Sequence, residues 1–152
     1  MSENHAGNII ANLASLPEFL RKPILKKRLS EFFTMNSEDK KEIISNALQA
    51  GPTIPFDTFS TLFKTWLETL CSLSEEQRTI MFSSYISEIL NHPEKLISFN
   101  LDGIFGIYMS LSVEQRAIIS STIQKIISIF DEKERKKIYL IIPEMAKNEI
   151  GI

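Results

Sequence analysis

Few residues of this 152-residue chain have the chemistry of a catalytic or metal-binding group. The only cysteine, Cys71, excludes an internal disulfide and argues against a cysteine-based metal site. Its place at the end of an apolar stripe favours a small core residue over a reactive thiol. Of the two histidines, His5 lies near the N-terminus, and His92 precedes Pro93 in a predicted turn, where capping or solvation explains it. We therefore expect no metal and no cofactor.

The glycines and carboxylates form no catalytic pattern either. Gly103 and Gly106 make a lone Gly-x-x-Gly, which indicates a helix break or a close helix approach and not a phosphate-binding loop. The acids gather at predicted helix starts, where they oppose the positive end of the helix dipole. Examples are Glu18, Glu38, Glu75, Glu94, Glu114 and Glu132. The sequence thus predicts a protein that is not an enzyme.

Two short basic segments contain the candidate partner-binding residues. They are Arg21, Lys22, Lys26, Lys27 and Arg28 in the first segment and Lys133, Lys136 and Lys137 in the second. Solubility alone explains mixed charge of this kind, but these bases could also pair with an acidic protein or with a phosphate backbone. Acids lie among them, and no exposed aromatic residue for base stacking stands out. A protein partner is therefore favoured over a nucleic acid.

Signals for a helix start recur at a nearly even spacing and predict an all-α protein. They are Pro17, Ser37, Pro55, Ser74, Pro93, Ser112 and Asp131. Proline suits the first helical position, and serine and aspartate suit the N-cap. Apolar residues then follow at spacings of three and four, which places one apolar stripe on each helix.

These signals predict seven antiparallel helices. Their ranges are roughly 17–33, 37–49, 56–71, 75–91, 93–109, 113–129 and 132–142. Pro23 should kink the first helix or confine it to its later turns. The fifth helix is interrupted by Asn100, Asp102 and Gly103 and is a candidate for two short pieces. In the first turns, Glu18–Arg21, Glu75–Arg78 and Glu132–Arg135 are spaced to pair on the surface.

The chain also repeats itself: Leu73–Leu90 matches Leu111–Ser128 without a gap, and residues 15–21 echo the same opening. This arrangement resembles α-solenoids of the HEAT, armadillo and tetratricopeptide kind, and a helix pair that runs from Leu73 to Leu111 is similar in length to a HEAT unit. The resemblance implies stacked helical hairpins, as a right-handed array or a compact bundle. It also implies a binding scaffold. We expect residues 1–14 to be a flexible lead-in and residues 15–152 to be one helical-repeat domain.

The functional expectation is a non-enzymatic protein-interaction scaffold, adaptor or regulator. The alternative is a nucleic-acid-binding helical-repeat protein that uses its basic first helix. A small-molecule pocket between aromatic helices is a weaker third hypothesis. The open ends of an array expose apolar edges, so a homodimer through a terminal helix is also expected. The near-neutral net charge of −2 and the lack of a long apolar run predict a cytoplasmic protein with no membrane partner.

Overall fold

All regular secondary structure in the computed structural model, which describes residues 5–152 and side chains from residue 8 onward, is helical. The nine α-helices of this range are α1 (His5–Ser15), α2 (Glu18–Phe33), α3 (Ser37–Ala50), α4 (Phe56–Cys71), α5 (Glu75–Asn91), α6 (Leu101–Met109), α7 (Val113–Ser128), α8 (Glu132–Ile141) and α9 (Glu144–Ile150). Short 3-10 turns occupy Gly51–Thr53 and Pro93–Leu96. None of these helices is both long and apolar enough to cross a membrane. The all-α prediction is confirmed.

The helix starts follow the polar signals closely. Ser74, Ser112 and Asp131 each complete a capping box, in which the N-cap side chain and the side chain three residues later bond each other's backbone N–H. At the second start the cap is Asn36 and not Ser37, because the Asn36 side chain accepts from the Asp39 N–H at 2.8 Å. Position 36 is also the one that an even spacing from Pro17 requires.

Of the lead-in expected at residues 1–14, the first four residues lie outside the described range. Residues 5–15 form α1, and its Leu13 and Ala14 are buried in the core. Its packing partners are α3 and α4. The short α9 is the second helix beyond the predicted seven.

Two predictions about helix breaks have opposite outcomes. The fifth predicted helix is divided, since a 3-10 turn at Pro93–Leu96 is followed by α6 only from Leu101. By contrast, α2 begins at Glu18 and runs through Pro23, so of the two predicted effects, a kink or confinement to later turns, confinement does not occur. Pro23 removes only the hydrogen bond to the Phe19 carbonyl, which lies on the exposed side of α2, where water can solvate it.

Consecutive helices pack antiparallel, and the most extensive contacts join every second helix. In this way α1, α3, α5, α7 and α9 form one succession of packed helices, and α2, α4 and α6 form another. Contacts of α4 with α1 and α7 join the two successions, and α8 packs on α5. The least exposed core side chains lie on the central helices and include Ile44, Leu70, Ile119 and Ile126. The outer sides of α2 and α8 are left open to solvent.

Candidate protein-binding surfaces

The outer side of α2 carries apolar and basic side chains together. Leu25, Leu29 and Phe32 bury the opposite side of this helix. On the outer side, Phe19 is 75% exposed, and more than a third of Leu20 and Ile24 is exposed. The lysines of the first basic segment are exposed among them. We call these six residues the α2 patch: Phe19, Leu20, Lys22, Ile24, Lys26 and Lys27.

Helical spacing explains how the α2 patch is assembled. Lys22 and Lys26 follow Phe19 by three and seven residues, so they share its side of the helix. Leu20 and Lys27 are also seven apart and define the neighbouring stripe. No ion pair of the described residues engages any of these three lysines. The patch therefore combines an apolar contact area with three lysines that make no ion pair to the described residues.

Two arginines of the first basic segment do not belong to this patch. Arg21, one of the predicted partner-binding residues, is only 8% exposed and lies on the buried side of α2. It lies on the stripe of Leu25 and Leu29, four and eight residues on, and its Nε donates to Thr65 Oγ1 at 3.1 Å. Arg28 is exposed, but Glu31 already pairs with it at 3.3 Å.

The expected surface pairing of first-turn glutamates with arginines does not occur for the buried Arg21. Its Nη1 donates to the Leu16 carbonyl at 2.6 Å instead. Arg78 is half-buried and bonds two carbonyls and Thr122 Oγ1 in the same manner. A long aliphatic stem can pack in the core while its charged head reaches polar groups there, and helix spacing alone does not reveal this use.

The second basic segment forms a separate patch on α8. Lys133, Lys136 and Lys137 are all exposed, and Leu140, at 87% exposure, lies seven, four and three residues after them on the same side. Glu132 partly compensates this charge, because its carboxylate lies 3.6 Å from Lys136. We call Lys133, Lys136, Lys137 and Leu140 the α8 patch. Since α2 packs on α1 and α4 whereas α8 packs on α5, the two patches have different surroundings.

The aromatic residues mostly form core. Phe59, Phe63 and Trp66 contact one another along α4 with ring centroids 5.5 Å apart, and Trp66 also meets Phe82 and Tyr85 edge-on. At one end of this row a cleft of about 370 Å³ opens beside Phe56, Phe59 and Phe99. Backbone and side chains of residues 51–55 line its other wall, and no ionisable side chain contributes to it. The sequence did not reveal this cleft, because its walls come from separate turns.

The two residues whose thiol or imidazole side chains are described, Cys71 and His92, lie at the end of α4 and just after α5. Burial raises the pKa of the Cys71 thiol above its ordinary value, the Arg78 charge opposes that shift and the Glu68 charge adds to it. His92 is half-exposed, with Nδ1 3.4 Å from a Glu94 carboxylate oxygen. In the described part of the chain, no cluster of His, Cys, Asp or Glu side chains could hold a metal ion.

One buried carboxylate was missed by the sequence pattern. Glu88 is 5% exposed on α5, and Lys95 Nζ lies 2.9 Å from it. The same ammonium donates to Ser45 Oγ on α3 at 2.6 Å. Glu88 thereby fastens the 3-10 turn at Pro93–Leu96 against two helices. The ammonium satisfies the buried charge, so this cluster needs no ligand.

The comparisons with known proteins provide no template for these surfaces: no family model, no curated protein and no solved structure matches the chain. The α2 and α8 patches and the aromatic cleft are thus the features from which a function can be argued.

Proposed function

We propose that this protein is a non-enzymatic interaction scaffold whose α2 patch binds an acidic, amphipathic helix of a partner protein. The observation that carries the proposal is the exposure of Phe19, Leu20 and Ile24 directly beside Lys22, Lys26 and Lys27. Isolated apolar residues on a surface need no explanation, but an apolar group rimmed by charge is typical of a protein-binding site.

The composition of the patch favours one kind of partner. A helix with apolar residues at spacings of three and four could cover Phe19 and the Leu20–Ile24 pair. Acidic residues flanking that stripe would meet the three lysines, which steers association and sets orientation. A nucleic acid could pair its phosphates with the three lysines and stack a base on Phe19, but it would leave Leu20 and Ile24 uncovered. For this reason we favour the protein partner.

We also infer that the packed helices form a stacked array of the HEAT type. Contacts between every second helix support this inference. One hydrogen-bond pattern also recurs at a constant offset along the chain, from Arg21 to Thr65 and again from Arg78 to Thr122. An array of this kind presents its outer helices as open surfaces for partners. The α2 patch lies on such an outer helix.

A binding titration with defined probes tests the proposal. The probe is a fluorescein-labelled amphipathic peptide with a leucine stripe and flanking glutamates, and its control carries glutamine in place of each glutamate. We expect the acidic peptide to bind, and its affinity to fall between about 50 mM and about 300 mM salt because the exposed charges are screened. Phe19→Ser should weaken binding roughly tenfold, as expected for a central aromatic anchor.

The chain offers a matched charge control. The triple variant Lys22→Glu, Lys26→Glu, Lys27→Glu should abolish binding of the acidic peptide. The triple variant Lys133→Glu, Lys136→Glu, Lys137→Glu makes the same charge change on α8 and should leave most of the affinity intact. An equal loss of affinity in both triple variants would refute the proposed site. So would equal affinities of the unmodified chain for the glutamine peptide and the acidic peptide. Tighter binding of an oligothymidylate than of the acidic peptide would instead favour the nucleic-acid alternative.

A further inference from the structure

An arginine and a threonine join helices in the same way at two places in the molecule. The Nε of Arg21 on α2 donates to Thr65 Oγ1 on α4, and the Nε of Arg78 on α5 donates to Thr122 Oγ1 on α7, both at 3.1 Å. The Nη1 of each arginine also donates to the carbonyl five residues earlier. The sequence separation between Arg21 and Arg78 equals that between Thr65 and Thr122; we call this separation the step. In this repeat, α2 corresponds to α5 and α4 corresponds to α7.

A third arginine occupies the next position in this series. Arg135 on α8 follows Arg78 by the same step that separates Arg78 from Arg21, but no threonine among residues 8–152 accepts from it. Its Nε instead turns back to the Phe130 carbonyl at 3.0 Å, and its Nη2 bonds the Ser128 carbonyl at 3.1 Å. An open cleft of about 310 Å³, which Tyr139 also lines, lies beside it. This is the side of α8 on which its counterparts α2 and α5 receive a packed helix.

The N-terminal helix α1 carries residues that correspond to the threonine side of this contact. The same step, counted back from α4, leads to α1, and Thr65 and Thr69 then correspond to Asn8 and Asn12. The two threonines are each 3% exposed, whereas both asparagines are exposed. An asparagine side-chain carbonyl can accept from a guanidinium just as a threonine hydroxyl does. The α1 helix thus presents an uncovered acceptor side.

We propose that a second copy of this chain docks head to tail, with α1 of one copy packed beside α8 of the next and Asn8 accepting from Arg135. The contact would continue the helix packing that α2 and α4 already make within the chain. Because α1 (His5–Ser15) contains no acidic or basic residue apart from His5, packing and hydrogen bonds hold this contact and not opposite charge. In a head-to-tail dimer, one α1 surface and one α8 surface remain free to bind further copies, so we expect assemblies larger than the dimer at high concentration.

Sedimentation equilibrium on the full chain from about 10 µM to about 1 mM tests this contact. We expect the average mass to rise with concentration, and moderate salt should not reverse the rise. Asn8→Lys removes the α1 half and Arg135→Glu removes the α8 half, so each should weaken association at least about tenfold. Asn91→Lys, at the exposed end of α5, makes the same charge change as Asn8→Lys and should associate as the unmodified chain does.

Mixing the two defective variants distinguishes this geometry from a symmetric dimer. Asn8→Lys retains its α8 surface and Arg135→Glu retains its α1 surface, so an equimolar mixture should form a one-to-one dimer and nothing larger. Arg135→Glu also removes hydrogen bonds to two carbonyls within the chain and could disturb the fold. Ser128→Lys is therefore a second variant, which obstructs the cleft from an exposed position. A single mass at all concentrations, loss in only one of the two variants, or a mixture that stays monomeric would overturn the proposal. None of these outcomes depends on the α2 patch, so the acidic-peptide experiment is decided separately.

Discussion

Replacing Thr65 with valine isolates the energetic role of the buried arginine. Valine has nearly the shape of threonine, but it removes the oxygen that accepts from Arg21 Nε at 3.1 Å. Both side chains are almost inaccessible, at 3% and 8% exposure, so water cannot replace that acceptor. A hydrogen bond to a charged donor contributes about 1.5–3 kcal/mol, and we expect Thr65→Val to lower the free energy of unfolding by that amount.

The same helix provides a matched control. Thr69 is equally buried, but its hydroxyl donates only to the Thr65 carbonyl, at 2.7 Å. Since that carbonyl also lies within the backbone hydrogen-bond ladder of the helix, Thr69→Val should cost less than about 1 kcal/mol. Urea unfolding measures both values. For a chain of this length, the Thr65→Val loss corresponds to a melting temperature lower by about 3–12 °C.

A double-mutant cycle separates the pair from its surroundings. In an Arg21→Met background, Thr65→Val should cost no more than Thr69→Val, because the donor has been removed. If Thr65→Val and Thr69→Val are equally destabilising in the unmodified chain, the arginine bond contributes nothing specific. If the cost of Thr65→Val is unchanged in the Arg21→Met background, the effect belongs to the threonine site alone, and the reasoning from Arg21 is wrong.

Three further predictions concern individual side chains. A Cβ at Gly106 would meet open space, so Gly106→Ala should stabilise the fold by about 0.4–1 kcal/mol in urea unfolding. A Cβ at Gly103 would contact the tip of the Phe56 ring and the Asn100 side chain, which would have to move aside, so Gly103→Ala should stabilise the fold less than Gly106→Ala does. The raised pKa of Cys71 keeps its thiol protonated, so iodoacetamide at pH 8 should alkylate it more slowly than it alkylates a cysteine peptide. In urea the alkylation rate should reach that of the peptide. Equal rates for the native protein and the peptide would contradict the burial of this thiol. Burial raises the pKa of Tyr85 to about 12 from an ordinary 10.0. The stabilisation from its neutral hydroxyl form is therefore complete below pH 10.0 and is lost as the pH rises toward about 12. Tyr85→Phe should remove the part of the alkaline destabilisation, followed by circular dichroism, that comes from this ionisation.

Local sequence signals determined much of the helix layout. Capping boxes at Ser74, Ser112 and Asp131 act within one turn, and so do the breaks around Pro93, so their effects are readable without tertiary information. Because these signals act only within one turn, they do not predict a helix whose place depends on distant parts of the chain. The α1 helix packs on α3 and α4, which only the folded chain brings to it, so its place in the core could not be predicted from local signals.

The candidate surfaces divide in the same manner. The sequence located both basic segments, and helical spacing is enough to place Lys133, Lys136 and Lys137 on one side of α8. It could not distinguish Arg21, a buried donor to a threonine on a distant helix, from Lys22, which is exposed to solvent. Long polar side chains take either role, and the choice depends on which distant helix packs alongside, so tertiary structure alone decided which charges remain free to meet a partner.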